Sequence, residues 1–153
     1  MKEDILEQMV EDWLVAQQGW FVKHNIRYRP SKEHPEYESK MDSVHSDIDI
    51  LGFSNLLRGK HKVAAVTCKS WQDGFRAKEW IRTFEKNATY NEKAIQFQKR
   101  EKWKYFREII SDKWIDAFLD KILQETGQKN FTYYIAVTHF VGSKVQREQI
   151  ETS

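Results

Sequence analysis

An α/β fold with a mixed central sheet flanked by helices is what the sequence predicts, and three observations predict it. A helical stripe opens the chain, short runs of β-branched and aromatic residues follow, and a long stretch of helical period separates the last such run from the others. With 153 residues, 40% of them hydrophobic, there is material for one core, so a single domain over 1–153 is expected.

Each element has its own signal. Ile5, Leu6, Met9, Val10, Trp13 and Leu14 recur at helical spacing and mark a first helix, which Gly19 ends. Trp20 to Tyr28 (WFVKHNIRY) reads as a strand, and the polar stretch holding Pro30 and Pro35 as a loop. Val44 to Phe53 (VHSDIDILGF) and Lys62 to Cys68 (KVAAVTC) read as two strands, with SNLLRGKH as the hairpin connection. The second strand is so apolar from Val63 to Val66 that it should be buried on both faces. From Phe75 to about Leu123 the helical period returns in Trp80, Ile81, Phe84, Trp103, Phe106, Ile110, Trp114, Phe118 and Ile122, so two or more helices are expected. Gly127 closes that block. Phe131 to Phe140 (FTYYIAVTHF) reads as a further strand, and Ser143 to Ile150 as a terminal helix with Ser143 as its cap.

Composition narrows the functional classes. The 25 Lys plus Arg nearly cancel the 23 Asp plus Glu, leaving a formal charge of +2, so no global basic field announces a nucleic-acid binder. Cys68 is the single cysteine, which excludes an internal disulfide, and no Cys/His zinc pattern occurs. A reducing, cytoplasmic setting is expected. Acids interrupt MKEDILEQMVEDW every few residues, so neither a signal peptide nor a membrane span is expected there.

A nuclease that uses a divalent metal needs hard oxygen ligands converging on one point and a cation near the attacked phosphate. Asp49 lies on one strand of the hairpin and Lys69 at the end of the next, so paired strands can bring them together at one end of a sheet. SDIDILG followed by KVAAVTCKSWQ resembles the PD-(D/E)xK superfamily of restriction-like endonucleases and Holliday-junction resolvases, from the first helix to about Trp80. The resemblance makes Asp49 the first acid and Lys69 the lysine. It makes Glu7 the first-helix glutamate, ahead of Glu11, and Gln72 a matching glutamine.

Thr67 breaks the pattern, because it stands where the second acid belongs and a neutral hydroxyl is a poor ligand for Mg2+. Either the carboxylate has migrated or the site has lost its activity. Glu79 is the best migrated candidate, with Glu85 behind it, and Asp47 would contribute if the strand is bulged. The resemblance implies a restriction-endonuclease-like fold and hydrolysis of DNA phosphodiesters with Mg2+ or Mn2+. Asp49, Glu79 and a backbone carbonyl near Cys68 would hold the metal, and Lys69 would orient the attacking water or stabilise developing charge.

Plainer readings stand beside these. Asp47 and Asp49 also fit exposed positions alternating with buried Ile48 and Ile50. Lys99, Arg100, Lys102, Lys104 and Arg107 form a local strip suited to DNA phosphates or simply a solvated face. The aromatic residues from Trp103 to Phe118 keep the helical period and read as core rather than as a base-stacking platform. Cys68 should face the core, and His45 reads as an ordinary strand residue. Two rivals to an enzyme follow. One is a degenerate module that binds DNA or a protein; the other is an assembly protein using its six tryptophans as anchors, with a homodimer left open.

Overall fold

The computed structural model describes residues 3–84 and 102–152. Among them the expected α/β architecture is present, with helices packed against a four-stranded mixed sheet. Helix α1 (Glu3–Val15) leads into β1 (Trp20–Tyr28), and a long connection containing the short α2 (Ser39–Asp42) leads to β2 (Ser46–Ser54). After β3 (Val63–Lys69) come β4 (Phe75–Arg76), α3 (Ala77–Phe84), α4 (Arg107–Ile110) and α5 (Asp112–Thr126). The chain ends in β5 (Thr132–Val137), β6 (Phe140–Val141) and α6 (Lys144–Thr152). Glu85, Lys99 and Arg100 lie outside the described residues.

The sheet order is β1-β2-β3-β5. β1 and β2 pair antiparallel, as do β2 and β3, whereas β3 and β5 run parallel, from Ala64↔Thr132 to Lys69↔Val137. Alternation along β3 sorts the core into two layers. Val63 and Ala65 join Trp114, Phe118 and Ile122 of α5 on one face, while Ala64, Val66 and Cys68 join Leu6 and Leu14 of α1 on the other. Buried on both sides, β3 is as apolar as its sequence requires. Cys68 is fully buried in the α1 layer, as its alternation predicts.

Two expected boundaries move. The single strand expected over Phe131–Phe140 breaks after Val137, because Phe140 and Val141 leave the main sheet to pair with Phe75 and Arg76 in a separate two-stranded ribbon. That ribbon also puts a strand at Phe75, where only helical period was expected. Gly74 permits the close approach: its φ is 80°, and a Cβ there would sit 2.5 Å from the His139 ring. The Phe75 N–H then donates to the His139 carbonyl at 2.7 Å.

The helix ends follow the local chemistry. Gly127 closes α5 in the left-handed region, its N–H donating to the Leu123 carbonyl. At α6 the Gln146 N–H donates to the Ser143 hydroxyl while the Gln146 side chain accepts the Ser143 N–H, a reciprocal capping box. No described helix is long and apolar enough to cross a membrane.

Candidate functional site

The sheet has one end where four features meet. It is the C-terminal end of β1, β3 and β5 and the N-terminal end of β2, since Tyr28 pairs with Ser46 and Lys69 with Val137. The long connection from 29 to 45 spans this end. Its α2 is pinned from above by α5, where Lys113 Nζ lies 2.8 Å from Asp42 Oδ2 and also donates to the Glu36 carbonyl.

Asp49 sits where β2 is irregular. Ile48 and Leu51 both join the α5 layer, although residues three apart on a regular strand face opposite ways, and Ile50 joins the α1 layer. Between the pairs His24↔Ile50 and Ile26↔Ile48, Asn25 adopts φ 50°, the one positive φ at a described non-glycine residue. The distortion centres on Asp49 rather than turning Asp47 inward, and Asp47 remains exposed. Asp49 lies one step beyond the last pair, Ile50↔Val66, and so beside Thr67 and Cys68 of β3.

Those contacts define its position. The Cys68 N–H donates to Asp49 Oδ2 at 2.7 Å, and the buried Thr67 hydroxyl lies 3.4 Å from the same oxygen. A charged acceptor for a backbone N–H makes a strong hydrogen bond, so the half-buried carboxylate is held against β3. Thr67 and Lys69 share a face of β3 opposite to Cys68. Lys69 is half-buried, and its ammonium lies 5.3 Å from the centre of the fully buried Phe106 ring, a cation–π contact that directs the side chain over the α5 face. Asp49, Thr67 and Lys69 therefore come together on one face at one end of β2 and β3, as their spacing predicts.

The other candidates are more scattered. Glu7 is half-buried on α1, which packs by Leu6, Val10 and Leu14 on the opposite face of the sheet. Glu11 lies 2.9 Å from His24 of β1. Gln72 is exposed in the turn after Lys69, and Glu79 is exposed in the first turn of α3, next to the buried Trp80. Of the basic strip, Lys102 falls in a 3-10 turn and Lys104 is half-buried. Arg107 donates to the Lys104 carbonyl and lays its guanidinium 4.7 Å from the Trp114 ring centre, so the fold holds it. Phe106, Trp114 and Phe118 are core, as the helical period predicts.

Sequence reasoning missed Glu108. This acid on α4 is 8% exposed and accepts the Tyr133 hydroxyl at 2.7 Å. Burial pushes the Tyr133 phenol well above the usual tyrosine range, and the charges of Glu108 and Asp49 push the same way. Tyr28 is raised by burial, then by Glu108, with Asp49 adding a smaller push. Tyr133 packs in the α5 layer, so its hydrogen bond places Glu108 over the face of the sheet that Thr67 and Lys69 share. Within four residues REII offers no pattern that marks a site, and only the tertiary packing reveals it.

Among the described residues no group of three or more His, Cys, Asp and Glu is arranged to hold a metal ion. A Mg2+ site that handles phosphates commonly uses one or two carboxylates and completes its shell with water and substrate. Asp49 is a half-buried carboxylate, the kind of hard-oxygen donor that such a sparse set uses. Comparison with family models, curated proteins and solved structures returns no match.

Proposed function

We propose that the domain is a metal-dependent nuclease of the PD-(D/E)xK type that hydrolyses phosphodiester bonds in DNA. The observation that carries the reading is the meeting of Asp49 and Lys69 on one face, at one end of antiparallel β2 and β3. The α-β-β-β-α-β order of the main sheet and its helices, with β5 parallel to β3, suits a restriction-endonuclease-like fold.

Asp49 would hold Mg2+ or Mn2+ with the Cys68 carbonyl, and Glu79 or Glu108 would supply the second carboxylate in place of Thr67. The bound metal lowers the pKa of a water and offsets charge on the phosphate. The chain's own residues do the rest. The Cys68 N–H and the Thr67 hydroxyl fix the Asp49 carboxylate before anything binds, so little reorganisation is needed on binding. Phe106 receives the Lys69 ammonium over its ring and so keeps it on this face, where it would orient the water or meet charge developing on the phosphate. The domain works in this reading on a DNA partner whose phosphates Lys104 and the neighbouring cations contact.

One observation favours a second reading, a degenerate module that binds DNA or protein without cleaving. A neutral Thr67 hydroxyl, rather than a second carboxylate, stands at Asp49. Calorimetric titration with Mn2+ separates the two. Wild type should bind weakly and Asp49→Ala should not; identical binding by both removes the proposed site.

A further inference from the structure

The turn joining β2 to β3 lies at the end of the sheet away from Asp49 and Lys69, where β1 and β5 begin. From Asn55 to Lys62 it reads NLLRGKHK. No Asp or Glu occurs from Ile50 to Gln72, so Arg58, Lys60 and Lys62 concentrate positive charge in a chain whose formal total is only +2. Lys129, exposed just ahead of β5, adds to it at the same end. The helices that finish on this side bring acids that are already engaged. Glu125, in the last turn of α5, meets Lys23 and Lys121, and Asp12, in the last turn of α1, accepts a hydrogen bond from Gln8.

Hydrogen bonds fix the shape of this turn. The hydroxyl of the fully buried Ser54 accepts the N–H groups of Leu56 and Leu57 at 3.2 and 3.1 Å, and the Ser54 N–H donates to the Lys62 carbonyl. The Asn55 N–H donates to the Gly19 carbonyl, and the Thr132 hydroxyl donates to the Lys60 carbonyl, so the turn is tied to both neighbouring strands. With their amides directed at Ser54, Leu56 and Leu57 remain 58% and 42% exposed, next to exposed Arg58 and Lys60. A leucine exposed by itself is ordinary. Two adjacent ones, set by hydrogen bonds at the tip of a turn whose only charges are positive, make an amphipathic surface.

We propose that this turn docks the domain on an anionic lipid bilayer. Leu56 and Leu57 enter the boundary between headgroups and acyl chains, while Arg58, Lys60, Lys62 and Lys129 meet the headgroup phosphates. The two halves of the surface select the partner together. An anionic bilayer offers negative charge with an apolar layer directly beneath it, which answers the cations and the leucines at once. A nucleic-acid backbone offers phosphates and would leave both leucines in water. A duplex held at Asp49 and Lys69 also lies at the opposite end of the sheet, and α1 and α5 cover the two faces between. Because the turn is already fixed, little ordering is needed on docking. The contact does not depend on the nuclease chemistry, and it leaves the Asp49 end directed away from the bilayer.

Co-sedimentation of the full chain with vesicles tests the surface, using phosphatidylcholine alone and phosphatidylcholine mixed with phosphatidylserine. Wild type should pellet with the mixed vesicles and stay in solution with phosphatidylcholine alone, and its binding should weaken as salt rises. Arg58→Gln with Lys60→Gln should reduce the affinity roughly 20-fold, at about fivefold for each cation lost near the surface. Leu56→Ser with Leu57→Ser, which leaves every charge in place, should reduce it roughly tenfold. All four positions are exposed, so circular dichroism should be unchanged in both variants. A wild type that ignores the mixed vesicles overturns the proposal, as does a leucine variant that binds them like wild type. Metal-free binding of short duplex DNA that the Arg58 and Lys60 changes abolish and the leucine changes do not would assign the turn to nucleic acid instead.

Discussion

Lys113→Met should be the most damaging conservative change outside the Asp49–Lys69 pair, because it leaves a carboxylate buried without its counter-charge. Lys113 is 1% exposed and Asp42 fully buried, with 2.8 Å between ammonium and carboxylate. Asp42 Oδ2 also accepts the Glu38 N–H, but among the described residues Oδ1 has no hydrogen-bond partner. Removing one partner of such a pair costs about 3–5 kcal/mol, a large share of the roughly 5–15 kcal/mol that holds a domain folded. At about 2–4 °C per kcal/mol for a chain of this size, Tm should fall by roughly 6–20 °C. Replacing both partners, as Asp42→Leu with Lys113→Met, removes the desolvation cost together with the attraction, and it should restore most of the loss. Urea unfolding of the four proteins gives the coupling directly, provided the m-values agree. A single variant within about 1 kcal/mol of wild type would refute the view that this pair clamps the 29–45 connection across the site end of the sheet.

Two further outcomes follow from the acids and phenols over the same face. The folded state raises the Tyr28 and Tyr133 pKa values through burial and the charge of Glu108, so both stay protonated at pH values where the unfolded chain ionises. Their contribution is present below about pH 10 and is lost above it, at up to about 1.4 kcal/mol per pH unit for each tyrosine; Tyr133→Phe should flatten the decline measured by urea unfolding from pH 9 to 11. For the missing carboxylate, Glu79→Gln and Glu108→Gln should give opposite results in a Mn2+-supported cleavage assay. Losing a charged ligand costs several kcal/mol, so the residue that serves should lower the rate ~100-fold and the other should leave it near wild type. If neither change matters, no migrated acid is at work.

Much of the scaffold was legible because local pattern and tertiary environment agree. The apolar run Val63–Val66 is buried on both faces, Gly127 and Ser143 end and begin helices, and the hairpin spacing brings Asp49 to the end of β3 that carries Lys69. What escaped depends on partners distant in sequence. Phe140 pairs with Phe75, which breaks a strand that looks continuous from Phe131. The strand irregularity at Asp49 faces Asn25 of a different strand, so the alternation of Asp47, Ile48, Asp49 and Ile50 does not by itself reveal that Asp49 is drawn inward while Asp47 stays exposed. Glu108 is fixed by a hydroxyl on β5, and nothing in its own helix announces it. Glu7 shows the reverse case, since a motif position on α1 says little about reach around a sheet whose other face carries Asp49.

The central claim is that Asp49 and Lys69 act on one phosphate, and single-turnover cleavage of end-labelled DNA with Mn2+ tests it most directly. The informative variant is Lys69→Met, which keeps an unbranched side chain and removes the charge that lies over Phe106. Wild type should cleave linear or branched DNA, and Lys69→Met should cleave ~100-fold more slowly or worse, as expected when a cation aimed at developing charge is lost. Equal rates for the two proteins, or a wild type that binds Mn2+ yet cleaves neither substrate, would contradict it.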